Sequence, residues 1–167
     1  MSQTYQVAIM MGSKSDLEVM RPAAQILKAL GVNVRVRVLS AHRTPAQAAA
    51  FVKEAVDQGT KVFICGAGGA AHLAGAVAAH TTCPVIGVPI NAGTLGGFDA
   101  LLSTVQMPPG MPVATVAVGG AENAGLLAAQ ILGVAHPDIS LRVGEERETR
   151  RQKVLQADAE VDSQFGG

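Results

Sequence analysis

Tryptophan is absent from this sequence, and aromatic residues make up only 3% of it. A core here cannot be filled by large rings, so its packing must come from Ala, Gly, Val and Leu in close contact. Net charge is absent as well, because thirteen basic and thirteen acidic residues cancel. That excludes the broad positive field that holds nucleic acid. Small anions remain possible ligands, since they need only local positive charge. No clean apolar run of about 18 residues survives in the least charged stretch, which argues against a membrane span. The opening MSQTYQVAIMMGS has no basic stretch followed by an apolar segment, so no signal peptide is expected and the cytoplasm is the expected compartment. There are only two cysteines. Cys65 and Cys83 stand in apolar, strand-like surroundings without zinc-type spacing, and buried, reduced thiols are the expectation.

The most informative deficit is local. Asp99 is the only formal charge in the 60 residues from Val62 to Ala121, whereas Arg142 to Asp162 holds eleven. Glycines, prolines, His72 and His80 cut the uncharged stretch, so burial on nearly all sides explains it better than lipid does. A monomer of 167 residues needs charge on its solvent faces, which places much of this segment in subunit interfaces of a homo-oligomer.

What is present alternates. Residues 5 to 11, YQVAIMM, read as a buried strand. Ser15 followed by Glu18 fits a capping box, and Leu17, Met20, Ala24 and Leu27 keep helical spacing up to Gly31, with Pro22 inside. NVRVRVL, 33 to 39, is a second strand. Thr44 with Gln47 makes a second capping box, with Pro45 at the first helical position and a stop at Gly59. KVFICG (61–66), PVIGVP (84–89) and VATVAV (113–118) are strands three to five. Between them run a small-residue helix to about His80 and a short helix over about 98–106, and a helix over about 121–132 follows strand five. A charged helix over about 138–157 closes the chain. Strands alternating with helices at this spacing predict an α/β fold: a flavodoxin-like doubly wound parallel sheet of order 2-1-3-4-5 in a three-layer αβα sandwich, with an extra C-terminal helix. The length fits one domain over 1–167, its core about 5–135.

In this architecture ligands bind beyond the carboxyl ends of the strands, where the strand order reverses. The loops there are GSKSD (12–16), SAHRTP (40–45) and GAGGAAHL (66–73), each leading into a helix N-terminus whose free amides favour anions. GSKSD alone could be a turn and a cap. GAGGAA lacks the GxGxxG order of a dinucleotide fingerprint and could be a packing seam. SAHRTP is harder to dismiss, because Arg43 suits forked binding of phosphate oxygens and His42 and His72 lie on loops expected to meet. His80 and His136 read as helix-end or surface residues.

Six blocks in order, GSKSD, SAHRTP, GAGGAAHL, PVIGVP, LLSTVQMPPGMPVATVAV and NAGLLAAQIL, resemble the N5-carboxyaminoimidazole ribonucleotide mutases of bacterial purine biosynthesis over about residues 5–135. The resemblance implies an isomerase without metal or cofactor that moves a carboxyl group from the exocyclic nitrogen to ring carbon four of an aminoimidazole ribonucleotide. It implies a homo-octamer with active sites between subunits, a C-terminal helix packed on a neighbouring subunit, and possible channelling from an ATP-dependent synthetase upstream. Nucleic acid and membranes are not among the implied partners. Carried over by position, Ser13, Ser40 and Arg43 would hold the phosphate, with Ser15 beside them, and Asp16 would take the ribose hydroxyls. Ala41, Ala67, Gly68 and Leu73 would line the ring and the migrating carboxyl. His42 would shuttle the proton, with His72 next to it as the second catalytic position. A histidine suits both protonating a carbamate nitrogen and then removing a carbon-bound proton, because it titrates near neutrality.

The sequence departs from the family at His72-Leu73-Ala74-Gly75-Ala76, where relatives commonly read HLPGM, and GGAEN (119–123) is shorter than in many of them. Related carboxylases that take free CO₂ tend to carry lysine in place of Arg43, so SAHRTP favours the mutase. A flavodoxin-like module binding a nucleotide or FMN would explain the anion corners but not His42. A purely structural subunit would leave the polar loops unexplained.

Overall fold

A computed structural model describes residues 4–165. Five parallel strands form its sheet: β1 (Val7–Met11), β2 (Val34–Val38), β3 (Val62–Gly68), β4 (Val85–Ile90) and β5 (Ala114–Thr115), in the order β2-β1-β3-β4-β5. Every residue of β1 and β4 is buried. A parallel strand covered on both faces has no solvent side to mark with polar residues, hence the unbroken apolar runs. The order and the direction are those expected from the sequence.

The helices are α1 (Leu17–Ala29), α2 (Pro45–Asp57), α3 (Leu73–Ala78), α4 (Phe98–Val105), α5 (Ala121–Gly133) and α6 (Pro137–Phe165). One core joins Val7, Ile9, Ile64 and Ile86 to buried residues of α1 and α5, together with Ile139 and Val143 of α6. The other joins Ala8, Met10, Phe63 and Cys65 to α2 and α3. Alternate side chains of one strand feed opposite layers, which makes the three-layer sandwich.

Small residues set the spacing between layers. At Gly125 of α5 a β-carbon would lie 2.9 Å from the Ala23 carbonyl oxygen and 3.2 Å from its Cα, so α1 and α5 cross backbone to backbone. At Gly66 of β3 the same position is filled by the thioether of Met20. This is how a core poor in rings reaches packing density.

The ends of elements differ from expectation in several places. VATVAV pairs only at Ala114 and Thr115. Beyond them, single bonds from Val116 N to the Gly87 carbonyl (3.1 Å) and from Gly119 N to the Pro89 carbonyl (2.9 Å) hold the chain beside β4. Pro89 has no N–H to offer a neighbour, which shortens the ladder. The last helix runs to Phe165 rather than about 157. It is clamped at its base, where Arg142 Nε donates to the Leu30 carbonyl (2.6 Å) and Nη2 pairs with Asp138 (2.7 Å). Arg150 reaches Glu122 of α5 at 2.7 Å. From Arg147 to Phe165 every residue is exposed.

The sheet's free edge is β2. Its Arg35 and Arg37 guanidiniums each lie 5.0 Å from the centroid of the Phe51 ring, and Arg35 also pairs with Glu54 at 2.8 Å. Glu54's carboxyl is held below its ordinary range, chiefly by that hydrogen bond.

Cys65 is fully buried, and burial alone pushes its thiol pKa far up. Cys83 is only half-buried, with Sγ 3.7 Å from the Thr60 carbonyl oxygen; both are free. The thiolate is the reactive form, so a disulfide reagent at neutral pH is expected to titrate at most one thiol in the folded protein and two in denaturant. Two fast-reacting thiols in the folded protein would contradict this burial.

Candidate active site

The first loop leaves β1 at Gly12 and turns through a short 3₁₀ helix, Lys14–Asp16. Its cap is Ser13, not Ser15. Ser13 is extended (φ −147°), its Oγ accepts from Ser15 N at 3.3 Å, and Asp16 Oδ2 accepts from Ser13 N at 3.0 Å, a capping box closed two residues earlier than expected. Ser15 Oγ donates to Ser13 Oγ at 2.8 Å. Asp16 is buried, yet these bonds leave acceptor capacity on a carboxylate that has about four lone-pair sites.

In the second loop Thr44 does not cap α2 with its side chain. Its Oγ1 accepts from Ser40 N (2.8 Å) and donates to the Ser40 carbonyl (3.0 Å), so the hydroxyl expected to close a capping box closes the SAHRT turn instead. Ser40 Oγ accepts from Arg43 N at 3.1 Å. His42 and Arg43 are thus carried on a turn tied across its base. Arg43 Nη2 donates to the Gly12 carbonyl at 2.7 Å, joining the second loop to the first. A guanidinium has five N–H groups, and this bond uses one of them.

The third loop follows Ala67 and Gly68 at the end of β3. A β-carbon on Gly68 would collide with the Ala92 methyl and stand 3.0 Å from the Ile90 carbonyl oxygen, so only glycine lets β3 approach the β4 loop this closely. Gly69 takes a left-handed φ of +61°. His72 is exposed and Leu73 buried. In the HLAGA turn, a β-carbon on Gly75 would lie 2.9 Å from Met107 Sδ, so Met107 packs on this turn from the loop after α4.

The three loops enclose one cleft of about 450 Å³, within the range of small-molecule sites. Ser13, Ser15, Asp16, Ser40, Ala41, His42, Arg43, Ala67, Gly68, His72 and Leu73 all line it. The structure therefore brings together all eleven residues singled out from the sequence. Gly12, Ala70 and Ala92 complete the lining. Ala92 was missed because the glycine-rich loop after β4 was placed next to α4 rather than at the cleft; the adjacency of β3 and β4 was the available signal.

Within the cleft, His42 Nε2 lies 2.8 Å from His72 Nδ1, with the rings edge to face at 83° and centroids 4.9 Å apart. His80 is exposed beyond α3, and His136 is exposed just before α6. Among the described residues no three His, Cys, Asp or Glu side chains gather as a metal site, and no helix is long and apolar enough to cross a membrane.

A doubly wound sheet with a serine- and arginine-lined cleft at its switch point, and two histidines in contact inside it, defines a small-molecule site for an anionic ligand with proton-transfer groups beside it. The AIR carboxylase family model matches residues 6–153, and the chain belongs to that family. The N5-carboxyaminoimidazole ribonucleotide mutase of Saccharolobus solfataricus is 54% identical over 149 residues, covering 89% of this chain and 94% of the relative. The mutase of the same name from Thermotoga maritima is 52% identical over 150 residues, 90% of this chain and 88% of the relative. The crystal structure of Treponema denticola PurE matches with a TM-score of 0.83 at 32% identity, over 92% of this chain and 96% of the other.

Proposed function

We propose that this protein is an isomerase converting N5-carboxyaminoimidazole ribonucleotide to 4-carboxy-5-aminoimidazole ribonucleotide, a carboxyl-transfer step of purine biosynthesis. The observation that carries the reading is the cleft. An arginine, three serines and a buried aspartate stand on two loops, and a histidine pair closes the space against the small residues of the third.

Ser13, Ser40 and Arg43 bind the phosphate, and Asp16 accepts from the ribose hydroxyls. His42 protonates the carbamate nitrogen, and CO₂ leaves with the N–C bond electrons remaining on nitrogen. Ring carbon four attacks CO₂, and His42 takes the proton that carbon then loses. The released CO₂ must stay against the ring between the two steps. Ala41, Ala67, Gly68 and Leu73 supply close walls without competing charge, so enclosure and orientation provide much of the acceleration.

The working form is a cytoplasmic homo-octamer in which the outer half of α6 packs on a neighbouring subunit. Two exposed apolar surfaces support the assembly: Phe98, Leu102 and Val105 on α4, and Val154, Val161 and Phe165 on α6.

The test follows the ultraviolet change when protein meets freshly made carbamate, with a parallel run on aminoimidazole ribonucleotide and bicarbonate. Fast conversion of the carbamate is expected. Efficient turnover of aminoimidazole ribonucleotide at low bicarbonate would move the protein to the carboxylases, and turnover of neither would remove the enzyme reading.

A further inference from the structure

Thr44 does not line the cleft, yet it holds the residue from which the second loop starts. Leu39 N donates to the Met11 carbonyl at 2.8 Å, and there the chain leaves the sheet. Both backbone groups of the next residue, Ser40, end on Thr44. Ser40 N donates to Thr44 Oγ1 at 2.8 Å, and the Ser40 carbonyl accepts from Thr44 N at 2.9 Å and from Thr44 Oγ1 at 3.0 Å. Ala41 and His42 make no backbone–backbone bond among the described residues. The turn is therefore fixed at its base, and two of the three bonds there belong to one hydroxyl. That hydroxyl stands at the start of α2, where its usual partner would be an amide of the first helical turn. Pro45 has no N–H to offer, α2 has no side-chain cap, and Ala46 and Gln47 are exposed and open to water. The oxygen serves the loop in place of the helix.

With its backbone held, Ser40 has one freedom left, the rotation of its side chain. Ser40 Oγ accepts from Arg43 N at 3.1 Å, and a hydroxyl that accepts still has its proton to donate. We propose that Thr44 is a positioning residue for the anionic end of the ligand: its hydroxyl fixes the Ser40 backbone and, through Ser40 Oγ, aims that hydroxyl and the Arg43 guanidinium at one point in the cleft. This rests on the carboxyl-transfer reading above and adds to it a residue outside the cleft. No proton or bond of the reaction passes through Thr44. Without its oxygen the Ser40 amide loses its acceptor and turns towards water. Arg43 stays tied to the Gly12 carbonyl at 2.7 Å, so the serine and the arginine no longer converge on one anion.

The test compares Thr44→Val, which keeps the size and the branch but loses both hydroxyl bonds, with Thr44→Ser, which keeps the hydroxyl. Thr44→Ala, which sets no methyl in place of the oxygen, is run beside them, so that a misfolded valine protein leaves the comparison standing. Each is made alone and together with Ser40→Ala, and kcat and KM are measured on the carbamate. In Thr44→Val, kcat/KM is expected to fall about 10²-fold, the scale of a 1 Å misplacement, chiefly through KM. Thr44→Ser is expected to restore most of it. In the Ser40→Ala background Thr44→Val is expected to cost about threefold or less, because both routes run through Ser40 Oγ and losses within one hydrogen-bond network do not add. A merely structural role would lower kcat/KM by the same factor in both backgrounds. Full activity in the valine and alanine variants, a serine variant no better than the valine one, or equal losses with and without Ser40 Oγ would each overturn the proposal. Failure of the wild type to convert the carbamate would overturn the assigned reaction, and this role with it. A wild type that converts it, with equal losses in the two backgrounds, would overturn this proposal alone.

Discussion

Replacing His42 with asparagine is expected to slow conversion of the carbamate at least about 100-fold, and up to about 10⁴-fold, while KM changes little. The two parameters separate because the residues proposed to anchor the ligand do not depend on the imidazole. Arg43 is tied to Gly12 at 2.7 Å and to Ser40 Oγ through its backbone at 3.1 Å. Ser13 and Asp16 hold each other through the capping box. Asparagine is small and polar enough to occupy the turn, and the Thr44 bonds that close it involve only Ser40. Steady-state kinetics on a variant shown by circular dichroism to be folded would check this. A rise in KM with kcat intact would make His42 a binding group, and the proton would then have to come from elsewhere in the cleft.

The second large effect is one of sign. Glycine inside a helix costs roughly 1 kcal/mol relative to alanine, so Gly→Ala in a helix normally stabilises. Gly144→Ala should follow that rule, because nothing lies within 4 Å of the new methyl on α6. Gly125→Ala should break it. The methyl would meet the Ala23 backbone at 2.9 Å and 3.2 Å as well as the Ile26 side chain. A backbone cannot swing aside as a side-chain tip can, so α1 and α5 must separate. Overpacking of this kind costs about 1–3 kcal/mol, more than the propensity gained. Urea unfolding of both variants at one protein concentration decides the matter: midpoint up for Gly144→Ala, down for Gly125→Ala. A stabilised Gly125→Ala would mean that the two helices are not in backbone contact there.

The parts legible in the sequence were those that repeat over several residues. Buried parallel strands announce themselves as apolar runs, and all five were found in order. The cleft was legible because the doubly wound order fixes which loops converge; three loops named from strand order carry all eleven expected residues. Less legible was anything decided by a single atom. Ser13 and Ser15 are both serines ahead of an acidic residue, and only the path of the chain shows which hydroxyl caps. Thr44 looked like a helix cap because its spacing to Gln47 allows one, but the Ser40 backbone competes for the same oxygen and wins. The end of α6 past residue 157 carries no apolar periodicity to read, because every residue from Arg147 to Phe165 is exposed. That His42 and His72 meet was expected from the convergence of their loops; which nitrogens face each other, Nε2 and Nδ1 at 2.8 Å, was not legible.

The edge strand β2 has a consequence for how molecules of this protein avoid one another. VRVRV is a sequence that pairs readily, and a free edge offers unpaired amides and carbonyls to any strand that arrives. Two copies meeting edge to edge would bring Arg35 and Arg37 of each against the same cations of the other. Both guanidiniums already rest on Phe51, so withdrawing them from the approach would break that stacking. The far edge, β5, has only two paired residues and is too short to template anything. Repulsion on one side and brevity on the other thus leave neither edge of the sheet a ready template for another strand.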